Sequence, residues 1–119
     1  MNSTDTSTKA LPTDSASVLN ELIDIAPGAI VSRVLASTTG GTVTLFAFDG
    51  GQGLSEHTAP FDALVQLLDG ELELQIGGIK VLLKPGEIVR MPANVPHALK
   101  AVDPCRMVLT MLREPKTEV

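Results

Sequence analysis

The chain has two histidines, His57 and His97. With an ordinary pKa of about 6.5, an imidazole is the side chain best suited to move a proton near neutrality, hold a metal or orient a ligand. Each lies in a short run punctuated by glycine: residues 51–70 read GQGLSEHTAPFDALVQLLDG and residues 86–98 read GEIVRMPANVPHA. Other reactive chemistry is scarce. The single cysteine, Cys105, can form no internal disulfide and has no C-x-x-C partner, which suits a reducing compartment. It reads as a small apolar strand residue. Ser55 stands near His57, but no nucleophile elbow frames it, so a nucleophilic mechanism is disfavoured.

Composition narrows the partners. With 119 residues and 44% apolar side chains, the chain is long enough for one core and too short for two. Three Phe and no Trp or Tyr leave no platform on which exposed bases could stack. The net charge of -5, with nine scattered Lys and Arg, repels phosphate backbones, so no nucleic-acid partner is expected. The apolar runs fall far short of the roughly 20 residues that span a bilayer, and the N-terminus lacks the basic and apolar regions of a signal peptide. The expectation is a soluble, cytoplasmic protein with no membrane partner.

The elements that must position the histidines are short and β-like. Residues 1–17, rich in Ser, Thr and Asp, should form a disordered tail. Apolar residues at 18, 19, 22, 23 and 25 suit one or two helical turns before Pro27 and Gly28. From Ala29 onward, strand-like runs alternate with turn residues, which predicts an all-β sandwich or barrel domain over 18–114 and a C-terminal tail over 115–119. The runs are 30–36, 42–48, 55–59, 63–68, 71–76, 79–83, 88–91, 97–102 and 106–112. Between them Gly40-Gly41, Asp69-Gly70, Gly77-Gly78, Pro85-Gly86 and Asp103-Pro104 mark turns.

Alternation assigns faces. Glu71, Glu73 and Gln75 face water, so Leu72, Leu74 and Ile76 face the core, and Ile79, Val81 and Leu83 do so on the next run. Lys100 points out, which turns His97, Leu99 and Ala101 inward. Asp62 and Gln66 point out, which turns Ala63, Val65 and Leu67 inward, and the same parity carried backwards brings in His57 and Ala59 if no bulge intervenes. Both histidines are thus expected in one core. Residues 42–48 are apolar on both faces, as in a strand between a barrel and a second subunit, so a homodimer is expected with residues 30–48 contributing.

The two histidine runs resemble the motifs of the cupin family. The first cupin motif runs Gly, five residues, His-x-His, three or four residues, Glu, six residues, Gly, and Gly51, His57 and Gly70 match it. The second runs Gly, five residues, Pro-x-Gly, two residues, His, three residues, Asn, and Gly86, Pro92 and His97 match it. Fifteen residues separate Gly70 from Gly86, as in small bacterial cupins. The resemblance, to single-domain cupins of the RmlC-like type, implies a conical antiparallel jelly-roll β-barrel. It also implies a divalent transition metal held by four side chains, of which only His57 and His97 are present here: Ala59 stands for the second His, Ala63 for the Glu and Ala101 for the Asn. Asn94 replaces the motif's glycine, a change the left-handed region tolerates in Asn.

Two imidazoles alone make a weak metal site, so no cofactor is firmly expected, and a divalent transition metal on His57 and His97 is the alternative. Alanine at 59, 63 and 101 removes bulk from one region of the barrel. Unless Phe46, Phe48, Met91, Met107 or Met111 refills it, a pocket remains, bordered by His57, Ala59, Ala63, Val65, Met91, His97, Leu99, Ala101 and Met111. Two functions follow. One is metal-independent binding of a small, largely apolar or carbonyl-bearing molecule with the histidines as polar anchors. The other is an enzyme, either a metal-dependent dioxygenase or isomerase or a metal-free catalyst with a histidine base, a device worth roughly 10² to 10⁴ in rate.

Overall fold

The computed structural model describes residues 6–7 and 10–114. Within them alternation and turn chemistry yield β1 (Thr6–Ser7), a 3-10 turn (Leu19–Glu21), β2 (Ile30–Thr38), β3 (Gly41–Phe48), β4 (Gly53–His57), β5 (Asp62–Ile76), β6 (Ile79–Leu83), β7 (Ile88–Met91) and β8 (His97–Leu112). No described helix is long and apolar enough to cross a membrane.

β5 and β8 form one antiparallel ladder from Asp62↔Leu112 to Ile76↔His97. Around residues 62–67 this ladder is flanked by β7 on one side and by β3, then β2, on the other. Around residues 72–76 it is flanked by β6 and by β4. Two sheets therefore share one bent pair of strands, which is the jelly-roll barrel. β1 adds in parallel to β2 at Ser32 and Arg33.

The bend corrects two expected turns. Asp69-Gly70 and Asp103-Pro104 do not end strands; they lie across the β5–β8 ladder from one another, where its register slips. Gly70 has φ 76, and a Cβ there would collide with the Pro104 carbonyl and with Cys105. Asp69 holds the corner: its Oδ1 accepts the Arg106 N–H at 2.7 Å and its Oδ2 accepts from Arg106 Nη1 at 2.6 Å. The slip also switches the inward parity of β5 from Ala63, Val65 and Leu67 to Leu72 and Leu74, all of them buried.

Inside the barrel, Phe48, Val65, Leu72, Leu74, Ala101, Cys105 and Met107 have no exposed surface and pack as one cluster with Ala63, Met91 and Leu99. Ile79 departs from its expected inward position and is 69% exposed beside the Gly77-Gly78 turn. A second cluster lies on the other face of β3, where Leu35, Leu45, Ala47 and Val108 are buried with Ile23, and Leu22 and Ile25 pack against them. The doubly apolar β3 is thus covered by residues 22–25 of its own chain. Two arginines secure this cover: Arg33 Nη1 donates to the Leu22 carbonyl at 3.1 Å and Arg106 Nε donates to the Ile23 carbonyl at 3.0 Å.

Of the expected tail over 1–17, residues 1–5 and 8–9 lie outside the described residues, while the Leu11 N–H donates to the Leu35 carbonyl at 3.0 Å. Helical structure between residues 18 and 25 is limited to the single 3-10 turn. The C-terminal tail, residues 115–119, also lies outside the described residues.

Candidate functional site: the His57–His97 pair

The histidines meet as a cross-strand pair between β4 and β8. Leu54 faces Leu99 and His57 faces His97, so β4 spends one residue more than β8 over this interval. That bulge at Ser55–Glu56 sets Leu54 and His57 on one face despite their odd spacing. It also keeps His57 at the rim. His97 is only 5% exposed, as expected, whereas His57 is exposed rather than enclosed in the core.

The rings touch edge to face, with centroids 4.3 Å apart at 73°, and the two Nε2 atoms are 3.1 Å apart. His57 Nδ1 lies 2.7 Å from the Ser55 carbonyl and His97 Nδ1 lies 3.2 Å from the Val95 carbonyl. A carbonyl oxygen can only accept, so each Nδ1 carries the proton and donates it. Burial holds the pKa of His97 below its ordinary value, against the opposing effect of the Val95 hydrogen bond, and the neighbouring His57 lowers it further.

Two hydrogen bonds from backbone N–H groups join the segment after His57 to the segment before His97. The Asn94 N–H donates to the Ala59 carbonyl at 2.7 Å, and the Ala93 N–H donates to Asp62 Oδ1 at 2.8 Å. Asn94 takes φ 63, the left-handed conformation its motif position calls for. Asp62 was not among the expected site residues, because its parity turns it away from the core. Its outward position is what lets it reach Ala93. The signal in the sequence was a short acidic residue one step outside the inward face, at the start of a strand, which is indistinguishable from an ordinary surface carboxylate.

The remaining expected pocket residues divide. Val65 and Ala101 have no exposed surface, so neither borders a void the size of a water molecule. Ala63 (4%), Met91 (3%) and Leu99 (4%) are nearly as enclosed, and Met111 is half-buried against the same cluster. Phe48, Met91 and Met107 share that cluster with Ala63 and Ala101. Ala59 is half-buried near the rim. A cleft of about 640 Å³ opens elsewhere, lined by Pro60, Phe61, Asp62, Ala93, Asn94 and Arg113 among others, and none of the expected pocket residues contributes to it.

A match to the model of the cupin domain covers residues 44–111, which include both histidines and the β5–β8 ladder except its last residue, Leu112. The chain belongs to the cupin family. This cupin is similar to a conserved protein of unknown function from Streptococcus pyogenes, at 28% identity and a TM-score of 0.86, over 94% of this chain and 98% of that one. It is similar to a cupin superfamily protein from Desulfitobacterium hafniense at 27% identity and a TM-score of 0.83, over 90% and 98% of the two chains. A cupin 2 conserved barrel domain protein from Leptotrichia buccalis is 35% identical with a TM-score of 0.76, over 79% of this cupin and 46% of that chain. No curated protein matches it.

The family's metal site can be tested against the donors this cupin carries. Ala59 and Ala63 offer none, Glu56 is exposed, and no group of three or more His, Cys, Asp or Glu converges among the described residues. Cys105 is fully buried, its thiol pushed up to about 11 by burial and then by Asp69 and Asp103. The side chains present do not fit a four-ligand metal centre.

Proposed function

We propose that this protein is a single-domain cupin that binds a small molecule at the barrel rim, with His57 and His97 as its polar anchors and without the family's four-ligand metal. The observation that carries this reading is the 3.1 Å approach of two Nε2 atoms whose partner nitrogens are already held by backbone carbonyls. The pair reaches from the buried to the exposed side of the barrel, so a ligand arriving from solvent can meet both rings. Leu54, Leu99 and Ile76 flank the pair by register and offer an apolar surround.

A second reading has one observation in its favour. Donors bound about 2.1 Å from one ion at a right angle lie about 3.0 Å apart, close to the Nε2 separation here. Under that reading the protein is a metal-dependent enzyme of dioxygenase or isomerase type, with His57 and His97 as partial ligands. Metal analysis of protein purified without an affinity tag separates the two. Substoichiometric metal that does not change in His57→Ala or His97→Ala supports the metal-free site. Near-stoichiometric iron, manganese, nickel or zinc that disappears in either variant overturns it.

A further inference from the structure

Resting on the two-histidine anchor proposed above, we infer that the group this site takes is a hydrogen-bond donor, the O–H or N–H of a small protic molecule with an apolar body, and that a carbonyl or ether oxygen is rejected there. The inference comes from counting protons. A neutral imidazole has one N–H and one lone pair. The Ser55 and Val95 carbonyls, at 2.7 and 3.2 Å from the two Nδ1 atoms, fix the proton of each ring on that nitrogen. With both rings neutral, both Nε2 atoms therefore present lone pairs 3.1 Å from one another, whereas a proton added to either ring would close a hydrogen bond between them.

Two acceptors at hydrogen-bond distance with no proton between them are an unsatisfied pair, the more so because His97 is only 5% exposed and has little water to turn to. An O–H or N–H placed at about 2.9 Å from both nitrogens can share its one proton between them as a three-centre bond. A carbonyl or ether oxygen in the same place would add a third lone pair and leave all three groups unpaired. A protic ligand thus stands in this proposal beside the largely apolar or carbonyl-bearing one that the sequence suggests. Sites that require a donor discriminate against analogues lacking it, because the penalty falls on buried polar groups. With His57 exposed, water supplies part of what the analogue cannot, and the discrimination should be about tenfold or more rather than the far larger ratios of closed sites.

The test uses the full chain, ¹⁵N-labelled at histidine, and phenol with its methyl ether, anisole, as probes. Long-range ¹H–¹⁵N spectra at pH 7.5 should show both rings as the Nδ1–H form. A ring found as Nε2–H overturns the inference on the wild-type protein alone, whatever the variants do. Phenol should then shift both Nε2 resonances saturably in the millimolar range, with anisole about tenfold weaker or worse. His57→Ala and His97→Ala should each abolish the phenol response. Equal binding of anisole and phenol, lost in the variants, would overturn the donor requirement while leaving the histidine anchor standing. Phenol binding unchanged in both variants, or no saturable response in the wild type, would overturn the anchor and the inference together.

Discussion

Each ring of the histidine pair has one nitrogen held by the backbone and one directed at its partner, and only His97 is enclosed. Burial disfavours its charged form. The unfolded chain therefore binds a proton at a pH where the folded chain does not, so the stability His97 contributes is complete above its ordinary pKa of 6.5 and is lost as pH falls through the lower folded value. Thermal unfolding of the wild type should drop between pH 7.5 and pH 5.5, and His97→Asn should flatten that dependence. Cys105 gives a second prediction at this scale. With the thiol at about 11 and no exposed surface, it should resist alkylation at pH 8 in the native protein and react at once in denaturant. The identity of the histidines and their convergence were legible from motif spacing. Their protonation was not, because it depends on the Ser55 and Val95 carbonyls, which a bulge and the turn from Pro92 to Val95 bring into place.

Strands β5 and β8 show how local signals mislead when a long ladder overrides them. An Asp-Gly and an Asp-Pro step each suggest a turn, but here the two steps face one another and let a continuous pair fold over a corner. Nothing local tells the two situations apart, since the pairing joins residues far apart in sequence. The corner can be tested through its glycine. Gly70 and Gly78 both have positive φ, at 76 and 81, but only at Gly70 would a Cβ strike neighbouring backbone; around Gly78 there is nothing within 4 Å. Gly78→Ala should cost about 1–2 kcal/mol for left-handed backbone. Gly70→Ala adds overpacking of about 1–3 kcal/mol and should total about 2–5 kcal/mol in chemical denaturation. A similar contrast applies where the two histidine segments are tied together. Asp62→Ala removes the acceptor of the Ala93 N–H and should cost about 1–3 kcal/mol, with faster hydrogen exchange at Ala93. Asp62→Asn keeps an acceptor oxygen and should restore most of both.

At the scale of the whole molecule, the barrel was legible because nearly every strand announces itself by alternation, while the apolar outer face of β3 pointed to two kinds of cover. A strand apolar on both sides suggests a second subunit, and the sequence offers no means of telling that from a segment folded back from the same chain. The segment is there: Ile23, at 6% exposure, seals Leu35, Leu45, Ala47 and Val108. Its carbonyl also holds Arg106, the residue paired with Asp69 at the corner of the ladder. Truncating Ile23 to Ala should therefore cost about 2–4 kcal/mol, the usual range for emptying a buried Ile site, and it should do so within one chain. Urea unfolding of Ile23→Ala should move to a lower midpoint with an unchanged slope, while light scattering at micromolar concentration gives the same mass as the wild type. A drop in mass with little loss of stability would instead assign this face to contact between subunits, because a side chain that seals a core inside one chain acts on unfolding, whereas one that seals a joint between chains acts first on association.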